Sequence, residues 1–406
     1  MKCVAIDVAN GKSMCTIIDE NGEIFLEPKE YKHNLLDLNG LLKTINELND
    51  YDTHIIMEST SVYHLPVERF FKDNSNYEVI ILNPLISKAN KVNLRKTKTD
   101  VQDCFNLANI FFNNKYNEQR STSNSERELQ YLSRQYFFME DNSTQLKNKL
   151  KQLLYLCFPE YKDFFKAAIY EQNSLKFIYQ YPHPDYIKNK RIDVLAKQLS
   201  NSDLQRIIKH YKNKLTKFKQ DIKNSLSCVD KDSYLILNLR QTIDLLIDVE
   251  KQRQQILEKL IELAKLDRQF VLFNSVTGIG ETTAELLVAE LHDLRRFSNI
   301  KQLIAYCGTD PGIKQSGSSI NTALSISKRG NKYSRKILYN IIVNILKVNS
   351  KNKITTDYTI LNYYNKKRSE GKHHYAAIIA CGNKLLSILY TLSTKNITYI
   401  PNYKQN

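Results

Sequence analysis

The chain has 406 residues and carries 59 Lys and Arg against 43 Asp and Glu, a net charge of +16 with a pI near 9.3. This length allows two or three domains, and so large a basic surplus points to a polyanionic partner, of which nucleic acid is the commonest. Seven scattered cysteines without a Cys-x-x-Cys pair exclude a disulfide framework and a zinc site. The eight histidines offer no ligand spacing either, since the adjacent His373 and His374 do not share a helix face.

The N-terminus is expected to run straight into a strand without a signal peptide, and no apolar stretch reaches the ~20 residues of a membrane span. A soluble cytoplasmic protein with no membrane partner is expected. Residues 1–120 read as α/β. Lys2–Asp7, Ser13–Ile18 and Glu23–Leu26 form strands joined by turns at Asn10-Gly11 and Asn21-Gly22. A helix over Leu35–Leu48, a strand ending at Glu58, a helix over Tyr63–Lys72 and a strand over Val79–Leu82 follow. Pro84 opens another helix, and a last one starts near Thr99. Three meandering strands followed by alternating helices and strands predict a ribonuclease-H-like domain.

Four acids stand out within it. Asp7 ends the apolar run Cys3-Val4-Ala5-Ile6, and Glu58 ends Ile55-Ile56-Met57. Asp100 and Asp103 lie three apart, on one face at the start of a helix. Two strand-end carboxylates facing two on a helix could hold a pair of divalent cations for in-line phosphodiester chemistry. Oxygen donors point to Mg²⁺ or Mn²⁺. The competing reading makes Asp100 and Asp103 only a helix cap and a first-turn acid.

Glycine is absent between Gly40 and Gly278, which predicts a helical middle over residues 121–265. Leu129, Leu132, Tyr136, Met139, Ser143, Leu146, Leu150, Leu153 and Cys157 step by three and four, a coiled-coil-like seam. Phe158-Pro159 ends it, and a loop-rich insert is expected over residues 160–200. The pattern resumes from Leu204 to Ile222 and from Leu239 to Leu263, predicting an antiparallel helical hairpin. Its seam is either an intramolecular core or a dimer interface.

Residues 266–406 form a mainly helical third domain. Val276-Thr277-Gly278-Ile279-Gly280 reads as a helix-hairpin-helix turn. Gly278 and Gly280 there either let backbone N–H groups approach a phosphate or simply join two helices. Lys314-Gln315-Ser316-Gly317-Ser318-Ser319 follows, then a basic stretch with Lys328, Arg329, Lys332 and Arg335, all available to phosphates.

These motifs resemble, in order, the insertion-sequence transposases of the DEDD type, the IS-one-ten group with its Piv-like invertase relatives. Asp7 begins an Ile-Asp-Val-Ala stretch, and Glu58-Ser-Thr-Ser-Val-Tyr63 stands where the family has Glu-x-Thr-Gly-x-Tyr. Lys98-Thr-Asp-Val-Gln-Asp103 is similar to the family's Lys-Thr-Asp-x-x-Asp, and Thr277-Gly-Ile-Gly280 to its Pro-Gly-Ile-Gly. Ala305-Tyr-Cys-Gly308, Asp310-Pro311, Gln315-Ser-Gly317 and Ser327-Lys-Arg-Gly330 then occur in the family's order. The match covers nearly the whole chain except the insert. Ser61 and Val276 replace the usual glycine and proline. The resemblance implies a RuvC-like domain with Asp7, Glu58, Asp100 and Asp103 as metal ligands, and a C-terminal domain with Ser316 as nucleophile, Ser318 and Ser319 being its competitors. It further implies donor and target DNA, a structured bridge RNA as guide, a dimer to tetramer, and a prokaryotic, nucleoid-associated setting. The alternatives are a metal-dependent junction nuclease, an invertase without guide RNA, and a non-catalytic nucleic-acid-binding derivative.

Overall fold

A computed structural model of the chain describes residues 1–48, 50, 52–84, 100–113, 123–200, 204–314, 322–351 and 357–401. The helix expected from Pro84, the Lys98-Thr99 pair and the serine loop with Ser316, Ser318 and Ser319 lie outside the described residues. The chain divides into two compact units, Met1–Thr122 and Ser123–Asn406.

The first unit is built on a five-stranded mixed sheet of order β3-β2-β1-β4-β5. The strands are β1 (Lys2–Val8), β2 (Lys12–Asp19), β3 (Ile24–Lys32), β4 (Thr53–Glu58) and β5 (Glu78–Leu82). β1–β3 form an antiparallel meander, whereas β4 and β5 run parallel to β1. Strand alternation assigns the two faces. Val4, Ile6, Ile17, Ile55 and Met57 meet α1 (Leu35–Glu47) and α2 (His64–Asn74). Cys3, Ala5, Ile18, Ile56, Ile80 and Leu82 meet α3 (Asp100–Phe112). β3 runs six residues further than the sequence suggests, through Glu27-Pro28-Lys29-Glu30. Among the described residues it pairs only with β2, and an edge strand tolerates proline and charge.

The second unit starts with α4 (Asn124–Cys157), which Ser123 and Glu126 begin with a reciprocal capping box. α4 packs antiparallel against α10 (Tyr234–Ala264). The direction follows from the cross-pairs: Ser143 and Lys147 both bond Glu250, at 2.6 and 2.7 Å, and Arg253 reaches the Tyr136 hydroxyl. The seam residues therefore face a partner within the same chain. The insert differs from expectation. It folds into α5 (Tyr161–Phe165), a 3₁₀ turn (Lys166–Tyr170), α6 (Gln172–Gln180), α7 (Pro184–Lys188) and α8 (Ile192–Ser200), followed by α9 (Gln205–Ile222). Phe164, Phe177, Ile187 and Leu195 pack there with Phe218 against Leu150 and Leu239. Pro184, which read as a loop signal, instead occupies the first turn of α7, where a missing N–H costs nothing.

The rest comprises α11 (Arg268–Asn274), α12 (Glu281–Leu291), a short 3₁₀ turn (Leu294–Arg296), α13 (Ile300–Cys307), α14 (Lys332–Lys351), α15 (Thr359–Ser369) and α16 (His374–Lys395). A two-stranded hairpin, β6 (Pro311–Lys314) with β7 (Thr322–Ile326), interrupts the helices where no strand was expected. α16 is long and apolar enough to cross a bilayer, with mean hydropathy 1.4, contrary to the sequence expectation. Its Ile378, Cys381, Leu385 and Leu389 are fully buried in the core, so internal packing accounts for its apolar character.

Candidate active site

β1 and β4 are neighbours, with Ile6 opposite Met57. One step further along both strands come Asp7 and Glu58. Asp7 shares its face with Cys3 and Ala5, and Glu58 shares its face with Ile56, so both project toward α3. The first turn of α3 brings Asp100 and Asp103 to that same side of the sheet. Cys104 follows Asp103 into the core of this face. Its thiol donates to the Met14 carbonyl at 3.1 Å. Burial pushes the thiol up to about 12, a backbone hydrogen bond at Asp7 opposes the rise, and the charges of Asp7, Asp103 and Asp100 add to it. Exposed Lys12, held by Glu30 at 2.6 Å, also feels the Asp100 charge. The four acids thus lie on the same side of the sheet in the first unit.

The loop after Glu58 keeps a glycine-like conformation without the glycine. Ser61 has φ +48°, and the Thr60 N–H bonds the Glu58 carbonyl at 2.8 Å. A serine in the left-handed region carries strain, which tertiary structure holds in place here.

The donor chemistry of this edge suits a hard divalent cation. Among the described residues, no three His, Cys, Asp or Glu side chains are grouped as a metal cage. The edge supplies oxygen donors without holding them in coordination geometry.

In the second unit, Gly278 has φ +94°, and a Cβ there would run into Ile345, so close packing accounts for this glycine. Gly280 faces open space at the start of α12. Val276, just ahead of this turn, donates its N–H to Phe273 O at 3.1 Å. Gly308 ends α13 with φ +65°, and its Cβ position lies 2.6 Å from both the Gly330 nitrogen and the Arg335 guanidinium. Arg335 donates to the Cys307 and Gly330 carbonyls at 2.9 and 3.0 Å. It therefore ties the basic loop to α13. Lys328, Arg329 and Lys332 on the same stretch are exposed.

Sequence reasoning missed Glu290. This fully buried carboxylate on α12 accepts from Ser133 at 2.9 Å and from Asn331 at 2.7 Å. Burial raises its pKa, and those two bonds oppose the rise. Glu290 thereby anchors the start of α14 to α4. Ser133 lies 157 positions away in sequence, so no local pattern announces the pair.

Comparison with known proteins gives the same order of parts. A DEDD-type family model described as "Transposase" matches residues 4–159, and a second, described as "Transposase IS116/IS110/IS902 family", matches residues 271–358. The chain is 30% identical over 128 residues to the uncharacterized 42 kDa protein of insertion element IS900 from Mycobacterium paratuberculosis, covering 31% of this chain and 30% of that protein. It is 30% identical over 142 residues to the transposase for insertion sequence element IS1111A from Coxiella burnetii, covering 35% and 37%. The uncharacterized 43.6 kDa protein of insertion element IS110 from Streptomyces coelicolor is 23% identical over 144 residues, covering 36% and 33%. These alignments span about a third of each relative's length. Two models of one transposase group thus lie in order on the chain, the first spanning the four acids and the second the glycine-rich and basic segments, so both parts of the chain are similar to IS110-type transposases.

Proposed function

We propose that the protein is an RNA-guided recombinase that moves its own insertion sequence, cutting and joining DNA through a serine–DNA intermediate. In this reading Asp7, Glu58, Asp100 and Asp103 are the ligands of Mg²⁺ or Mn²⁺ in a RuvC-like, ribonuclease-H-like domain of residues 1–120. Residues 121–265 are a coiled-coil spacer, and residues 266–406 carry the nucleophile Ser316. The observation that supports the reading is the β1–β4 register, which sets Asp7 and Glu58 one step beyond the Ile6–Met57 pair, on the face that α3, with Asp100 and Asp103 in its first turn, packs against.

The chemistry balances without an external energy source. The Ser316 hydroxyl oxygen bonds to phosphorus, the P–O3′ bond breaks, and the 3′-oxygen leaves with a proton. The 5′-phosphate stays on Ser316 until another strand's 3′-hydroxyl displaces it. A bound divalent cation would polarise the scissile phosphate and stabilise its developing charge. The carboxylates hold donors at the site, and a neighbouring base takes the serine proton. Lys328, Arg329 and Lys332 hold phosphates, Arg335 fixes the loop that carries them, and Gly278 and Gly280 complete the nucleic-acid face. Two duplexes must be cut and joined, which favours a dimer or tetramer acting on donor and target DNA in a prokaryotic nucleoid.

The test is purification from cells expressing the whole element, with sequencing of bound RNA and a strand-exchange assay on wild type and Ser316→Ala. Enrichment of an element-derived RNA and loss of exchange in the variant support the reading. Metal-dependent hydrolysis persisting in Ser316→Ala would replace it with a junction nuclease, and exchange without any enriched RNA with a protein-only invertase.

A further inference from the structure

The helical insert, which the family resemblance leaves out, forms one wall of a cleft of about 780 Å³ against α4. Asn148, Lys151, Gln152 and Tyr155 line it from α4, at spacings of three and four that put them on one face. Lys162 and Lys166, four apart, line it from the insert. None of the described residues lining the cleft is acidic. Tyr155 is 71% exposed, and its ring packs into no described aromatic cluster. Lys214 lies close behind, its ammonium 4.6 Å over the Phe164 ring, where burial first and then the charge of Lys166 hold its pKa down.

Lys166 supplies an independent signal. At the junction of α5 and the 3₁₀ turn it has φ +53° and ψ −125°, a conformation that side chains other than glycine rarely adopt. Lys166 is exposed, so packing of its side chain does not account for the strain. An outlying backbone at an exposed lysine on the wall of a cleft motivates a functional role for the cleft.

We propose that this cleft binds an unstacked nucleotide of a single-stranded nucleic acid, with Tyr155 stacking on the base, Lys151, Lys162 and Lys166 holding the flanking phosphates, and Asn148 and Gln152 reading base edges. The volume falls within the range of small-ligand sites, about 300–1,000 Å³. A base must leave its helix before its face can reach a tyrosine, which selects single strands over duplex. The site is independent of the strand-transfer chemistry: a Ser316→Ala protein is expected to bind equally well.

The experiment uses the full chain with a labelled 15-mer oligoribonucleotide, the matching oligodeoxynucleotide, and a duplex of the same sequence, over a salt series. Tyr155→Ala should weaken binding of at least one single strand about tenfold and leave its salt slope unchanged, since stacking releases no counterions. Lys162→Ala with Lys166→Ala should lower that slope by about 1.4, at roughly 0.7 per phosphate contact. Duplex binding should be unaffected by both changes. The RNA and DNA arms identify the strand, and preference for either supports the site. Unchanged single-strand affinity in folded variants, or equal losses for duplex and single strand, would overturn it.

Discussion

The acidic edge of the first unit and the basic segment of the second solve the placement of charge differently. In the first, strand register and one helix start set Asp7, Glu58, Asp100 and Asp103 on one side of the sheet. In the second, the backbone itself is clamped. Gly308 and Gly330 pass in close contact, Arg335 bonds two loop carbonyls, and buried Glu290 grips Asn331. In the proposed reading the charge of the first region serves chemistry, whereas much of the charge in the second maintains shape. Substitutions should therefore separate: loss of activity without loss of fold at the acid edge, and loss of stability at the clamp.

The largest expected effect is at the acid edge. Asp7→Ala or Glu58→Ala should lower strand exchange about a thousandfold or more, because metal-assisted charge stabilisation is worth several kcal/mol. Circular dichroism and urea unfolding should be unchanged. Near-wild-type exchange by either variant would remove the four-acid site.

The clamp should respond in the opposite sense. Gly330→Ala should cost about 2–4 kcal/mol in urea unfolding, since a Cβ there would strike the Tyr306 and Ala305 carbonyls. Gly280→Ala, which meets open space, should cost under about 1 kcal/mol. Similar values for the two would show that the backbone contact is not needed.

A smaller effect concerns Glu285, a fully buried carboxylate on α12 whose oxygens both lack a hydrogen bond among the described residues. Burial, and then the charge of Glu281, push its pKa up to about 7, with Lys265 opposing. The raised value means that the folded state binds the proton more tightly. Stability is therefore fully present below the ordinary carboxylate range and falls as pH rises toward 7, by at most about 3 kcal/mol. Glu285→Gln should flatten that slope in unfolding measured from pH 4.5 to 8. An unchanged slope would assign the pH dependence to other groups.

The smallest effect is expected at the exposed cations. Lys328→Ala and Arg329→Ala should each lower the salt slope of DNA binding by about 1 and leave stability within about 0.5 kcal/mol. Arg335→Ala should instead destabilise by about 1–3 kcal/mol, because two loop carbonyls lose their donor.

What was legible in the sequence follows the same division. Asp7 and Glu58 could be read because each closes an apolar run, and alternation then sets their face. The long helices could be read from spacings of three and four. The insert was misread because its helices are short and its prolines resembled loop signals, although Pro184 begins a helix. The β6–β7 hairpin is too short to stand out, and its flanking Gly and Ser residues read as loop. The contact of Glu290 with Ser133 was hidden because tertiary packing alone brings the two together.

The central claim is that a serine in the C-terminal unit takes a DNA 5′ end during strand exchange. The direct measurement is to trap the protein on a nicked substrate with Mg²⁺ and map the modified peptide by mass spectrometry, alongside Ser316→Ala, Ser318→Ala and Ser319→Ala. The account predicts an adduct on Ser316, lost only in the Ser316 variant, with DNA binding retained. An adduct on Ser318 or Ser319 would move the nucleophile. No adduct at all, with metal-dependent cleavage continuing in the Ser316 variant, would contradict the account.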